Sequence, residues 1–115
     1  MKGPFIIEIG RVPISQNAIR SMHWGARSKE KKRWERAILP YGYLWRGKPG
    51  KRVLITFCFP DMRRRDKDNY AYEKGIGDGL VKAGIIEDDA ANKADIKHAV
   101  KLGTGERKTI IEVWK

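Results

Sequence analysis

Seven residues, Val53-Leu54-Ile55-Thr56-Phe57-Cys58-Phe59, constrain this chain more than any others. They are nearly all β-branched or aromatic, the run is strand length, and Pro60 stops it. An apolar run without alternation predicts a central strand covered on both faces. The remaining elements must be arranged around it. Phe5-Ile6-Ile7-Glu8-Ile9 reads as a first strand, closed by Gly10 and Pro13. Residues 95–102 and 108–114 read as two more, and Gly103-Thr104-Gly105 supplies the turn of an antiparallel hairpin between them.

Two helices fit between the strands. Residues 13–27 carry turn and loop residues (Pro13, Ser15, Asn17, Gly25) and read as irregular. Ser28 suits an N-cap, and Glu30, Trp34 and Ile38 form an i, i+4, i+8 row on a helix ending before Pro40. Residues 41–50 read as a loop. A second helix is expected over 69–83, with Tyr72, Ile76, Leu80 and Ala83 on one stripe and Gly84 at C′. Gly75, Gly77 and Gly79 each cost it about 0.5–1 kcal/mol relative to Ala. They would also keep it thin enough for another backbone to pack close. The order β-α-β-α-β-β implies an α/β (α+β) fold over 1–115, a single domain with a mixed sheet of about four strands and two helices.

Bulk properties narrow the function. No apolar run approaches the roughly 20 residues of a membrane span, and no secretory leader is expected. Cys58, alone inside the apolar run, reads as a buried thiol in a reducing compartment, hence a cytoplasmic protein. The formal net charge is +11, which suggests a polyanionic partner. Its distribution is uneven. Residues 1–60 hold 13 basic and 3 acidic side chains, whereas residues 61–115 hold 12 and 11. Most of the acid lies between Asp61 and Asp95, a poor arrangement for a protein that only coats DNA.

The acidic centre begins where the central strand ends: Pro60-Asp61-Met62-Arg63-Arg64-Arg65-Asp66-Lys67-Asp68-Asn69. Strand-to-helix junctions of this kind commonly carry ligands. If the segment stays extended to Asn69, Asp66 and Asp68 point to one side and can reach one cation. Asp89, in Glu87-Asp88-Asp89, is a third carboxylate beyond the second helix. Such hard oxygen donors suit Mg²⁺, which can polarise a phosphodiester and lower the pKa of an attacking water. A neighbouring Arg or Lys would stabilise the charge that develops on the phosphate. Each piece has a bland alternative as well: Arg63, Arg64 and Arg65 would neutralise the aspartates on a solvated face, and Asp88-Asp89 would be a turn.

At these residues the chain resembles the RusA family of Holliday-junction resolvases. The resemblance runs from Pro13-x-Ser15-x-Asn17 through Pro60-Asp61-x-Arg63-Arg64-Arg65-Asp66-x-Asp68-Asn69, then Asp78-Gly79-Leu80-x-Lys82-Ala83-Gly84, Asp88-Asp89 and the terminal strands. It implies a homodimeric, Mg²⁺-dependent endodeoxyribonuclease that cuts four-way DNA junctions, with no other small-molecule cofactor. By the same resemblance Asp66, Asp68 and Asp89 are the catalytic, metal-holding aspartates, and Arg65 is the functional arginine beside them. The family's lysine falls on Lys74 when counted back from Asp78-Gly79-Leu80, but on Tyr72 when counted forward from Asp68-Asn69.

Contacts to the DNA backbone are expected from Arg63, Arg64, Arg65 and Lys67, and from the basic first helix (Lys29, Lys31, Lys32, Arg33 and Arg36), whose alternative is a solvated face. Trp34 and Trp114 read as core. Trp24 fits packing better than stacking on an exposed base. His23 and His98 have no partner at metal-ligand spacing. Two rival functions remain: a non-catalytic basic DNA-binding protein of the same fold, and a transferase holding a nucleotide through its D-x-D. No Walker-type glycine loop supports the second.

Overall fold

A computed structural model describes residues 3–87 and 94–115. Four strands, β1 (Phe5–Ile9), β2 (Arg52–Cys58), β3 (Asp95–Lys101) and β4 (Lys108–Trp114), form one mixed sheet in the order β1-β4-β2-β3. β4 is antiparallel to both β1 and β2, and β3 is parallel to β2. The mixed four-stranded α+β fold expected from the sequence is therefore present, but the terminal hairpin is not. β2 lies between β3 and β4. The linker crosses the end of β2 instead of turning tightly: Gly103 N–H donates to the Asp61 carbonyl at 2.8 Å and Thr104 N–H to the Phe59 carbonyl at 3.0 Å. Gly103 and Gly105, at φ +69° and +84°, shape this crossing and not a two-strand turn. The centre of the sheet gains a strand bonded on both edges.

Register explains which side chains are buried. Ile7, Ile55 and Ile111 stand in one row, with Val53 and Val113 in the next, and all five are buried. They belong to one core with Trp34, Ile38, Tyr72, Ile76 and Leu80. The opposite face carries Ile6 at 55% exposure and half-buried Leu54, Thr56 and Ile110. The expectation that β2 is covered on both faces is thus corrected. Its apolar odd and even positions look alike in sequence, yet the helices sit on one side only.

The helices also differ from expectation. Residues 13–27 are not irregular throughout: Ser15 Oγ accepts from Ala18 N–H and caps α1 (Gln16–Ser21). The next helix, α2, runs Trp24–Gly42, capped by His23 Nδ1 accepting from Gly25 N–H, so Ser28 is inside it. Pro40 falls in its last turn, where one missing donor does not end it. The described residues form three α-helices instead of two. The row Glu30, Trp34, Ile38 is buried as its spacing implied. Glu30 is satisfied there by Trp34 Nε1 at 3.1 Å and Arg11 at 3.2 Å, and the Arg11 guanidinium lies over the Trp34 ring.

The expected second helix, 69–83, is broken into three pieces. A 3-10 turn (Lys67–Asn69) and a π-helical turn (Glu73–Gly77) precede a short α3 (Asp78–Lys82). A Cβ at Gly75 would collide with the Tyr72 ring folded over it, so glycine is required at that position of the π-helical turn. The apolar stripe survives: Tyr72, Ile76 and Leu80 are buried, and Gly84 takes the C′ position at φ +76°. Gly79 does allow close packing. Its missing Cβ would lie 3.5 Å from Glu35 Cα of α2.

Candidate functional site

The segment leaving β2 is anchored before it reaches the aspartates. Arg65 Nη1 and Nη2 bond the two oxygens of Asp61 at 2.7 and 3.3 Å, and the guanidinium lies 4.1 Å over Phe59. Only 8% of the Arg65 side chain is exposed. That bidentate, stacked geometry is the strong form of an arginine–carboxylate pair. Asp61 is held below its ordinary carboxylate pKa of 3.8, first by Arg65 and then by the Arg63 backbone N–H. The clasp's stabilisation is therefore complete above that value and fades as pH falls through it. Comparing the unfolding of the parent and Asp61→Asn, we expect a constant difference above about pH 5 that shrinks below about pH 4. A gap that widens in acid would contradict the clasp.

Asp66 follows in extended conformation, and its Oδ1 accepts from Asp68 N–H at 3.0 Å. This cap starts the 3-10 turn, so the segment does not stay extended to Asn69. The two carboxylates consequently open into different hollows. Asp66 lines a polar hollow of about 310 Å³ with Arg63, Arg64 and Arg107. Asp68, its side chain 75% exposed and 3.2 Å from Lys67 Nζ, lines a larger cleft of about 710 Å³. That cleft lies between α1, the first turns of α2 and the 68–74 segment. Gln16 of α1 helps shape it by donating to the Ala71 carbonyl. Its cations are Arg20, Arg27, Lys31 and Lys74.

Of the candidate residues, then, the structure brings Asp68 and Lys74 to one cleft, with Asp66 on the far side of the turn. Tyr72 also reaches that cleft but is mostly buried, so the exposed Lys74 is the group able to meet a phosphate. Arg63 and Arg64 are exposed in the smaller hollow, while Arg65 is committed to Asp61. Lys29 and Lys32 are exposed on the outward face of α2 and do not line the cleft. Asp89, with Asp88, lies outside the described residues. No group of three or more His, Cys, Asp or Glu is placed to hold a metal among the described residues. Asp66 and Asp68 are nonetheless accessible hard donors, and Asp66 keeps Oδ2 beyond its cap. That suits the incomplete carboxylate set Mg²⁺ takes alongside water.

Sequence reasoning missed Arg20, Arg27 and Arg107, whereas Lys31 was already among the basic residues of the first helix. Arg27 was discoverable: with α2 starting at Trp24, it falls on one face with Lys31. The histidines are structural here, His23 as a cap and His98 stacked 5.9 Å from Phe57. Cys58 is buried, and burial pushes its thiol pKa up, so it is not a reactive thiolate. Trp114 is half-buried beneath Arg52 and is not core, unlike Trp34. No helix among the described residues is long and apolar enough to cross a membrane. No protein-family model and no curated protein matches the chain.

Proposed function

We propose that this protein is a Mg²⁺-dependent endodeoxyribonuclease of the RusA kind, acting as a homodimer on four-way DNA junctions. The observation that supports it most is the cleft in which Asp68 and Lys74 share walls with Arg20, Arg27 and Lys31. Cations there would seat a phosphodiester, and the carboxylate beside them has no role in holding the fold together. Asp66, Asp68 and Asp89 would hold Mg²⁺, which when bound polarises a phosphate and acidifies a water. Lys74 would meet the charge that develops on the reacting phosphate. Arg63 and Arg64, across the turn, would hold backbone further along the strand.

A non-catalytic DNA-binding protein is the second reading, and two observations favour it. Asp66 and Asp68 open into different hollows, and Arg65, the resemblance's functional arginine, is committed to Asp61. Incubation with a synthetic four-way junction and with linear duplex, each with and without Mg²⁺, separates the two. Symmetric cuts in the junction, dependent on Mg²⁺, support the nuclease; tight binding without cleavage at any metal concentration supports the other. In the nuclease case Lys74→Ala should lower single-turnover cleavage about tenfold, a modest share because the ammonium is solvated. Lys82→Ala is the control. Lys82 is paired with Glu35 at 3.1 Å, so its loss should leave turnover near the parent rate.

A further inference from the structure

Trp24 is 75% exposed, the most exposed of the large hydrophobic side chains among the described residues. It belongs neither to the buried core nor to the partly buried residues packed against it, so packing does not account for it. Its position is informative. Trp24 is the first residue of α2, and Trp24, Arg27, Ser28 and Lys31 stand at i, i+3, i+4 and i+7 on one helical face. The last three line the basic cleft, and Trp24 stands one turn before them on the same helical face, at the edge of that wall. The ring is backed by His23, whose imidazole lies 5.6 Å away while capping the helix through Gly25 N–H. An aromatic side chain on the helical face that carries Arg27 and Lys31 offers a surface for a base, and the cleft's Arg20, Arg27 and Lys31 offer cations for its phosphates.

We infer that Trp24 is a stacking platform for an unpaired nucleobase whose flanking phosphates lie against Arg20, Arg27 and Lys31. This rests on the nucleic-acid reading above and adds that the substrate must present an unstacked base, as a branch point does and a continuous duplex does not. The test uses fluorescence anisotropy without metal, on oligothymidylate and on an abasic deoxyribose-phosphate strand of equal length and charge. The parent should prefer oligothymidylate at least about fivefold, since stacking one base on an aromatic ring is worth roughly 1–3 kcal/mol. Trp24→Phe should keep most of that preference, and Trp24→Ala should lose it. The side chain is solvated, so neither change threatens folding. Equal affinity of the parent for both strands overturns the platform and leaves the nucleic-acid reading standing, as does a preference that survives in Trp24→Ala. Failure to bind either strand overturns the platform, and the four-way-junction assay then decides the nucleic-acid reading on its own. A particle mass that halves in Trp24→Ala overturns the platform in favour of a contact between two copies of the chain.

Discussion

Asp68→Asn should stop junction cleavage while leaving junction binding intact or tighter. The side chain is 75% exposed and contributes only a contact to Lys67, so the substitution costs the fold little. It removes a hard, charged oxygen from the proposed metal site. Metal polarisation of a phosphate is worth several kcal/mol, so single-turnover cleavage should fall roughly a hundredfold or more. Binding should move the other way, because a negative charge beside Arg20, Arg27 and Lys31 is gone. Asp66→Asn gives the same expectation with a useful control built in: the amide oxygen can still accept from Asp68 N–H, which preserves the turn. Asp89→Asn should behave alike. Cleavage is read on a labelled junction with Mg²⁺, and binding on the same junction without it. A variant that cuts at the parent rate removes its residue from the site.

The largest loss of stability should come from Trp34→Ala. Trp34 is fully buried on the core side of α2, where it lies against Gly75 of the π-helical turn. Truncating a buried aromatic side chain typically costs about 3–5 kcal/mol, a large part of the roughly 5–15 kcal/mol that holds a domain together. Here the ring also gives Glu30 a hydrogen bond at 3.1 Å and gives the Arg11 guanidinium a face at 4.6 Å. Glu30 would keep Arg11 at 3.2 Å and Arg33 at 3.6 Å, so it would not be stranded. Urea unfolding should show either a transition at much lower denaturant or no folded baseline. Trp34→Phe separates the two contributions, keeping most of the volume but dropping the indole N–H, at about 1–3 kcal/mol. A loss under about 1 kcal/mol for Trp34→Ala would mean that the ring is not the centre of this core.

The chain itself settled the features whose causes are local. β-branched and aromatic runs marked all four strands, with β1 and β4 matching at both ends. Three-to-four-residue spacing found the buried row Glu30, Trp34, Ile38 and the stripe Tyr72, Ile76, Leu80, even where the helix beneath that stripe proved broken. Gly84 declared the end of that stripe because its positive φ is a property of one residue and its turn. The concentration of acid after β2 was equally plain, since charge needs no folding to be counted.

Tertiary structure decided the rest, and distance along the chain is the reason. Gly103-Thr104-Gly105 carries turn residues for a hairpin, but the Phe59 and Asp61 carbonyls at the end of β2 capture that loop and send β4 to the far side. Leu54 and Val53 are equally apolar, and only the one-sided placement of the helices makes the first half-buried and the second core. The D-x-D spacing allowed a shared metal only for an extended segment. The Asp66 cap on Asp68 N–H folds that segment into a turn, and the two residues line separate hollows. Arg65 was one arginine of three in sequence. The Phe59 ring and the Asp61 carboxylate, brought together at the strand end, turned it into the structural member and left Arg63 and Arg64 to solvent. Local patterns fix what a segment can become, whereas the partner groups that choose among those states arrive from elsewhere in the fold.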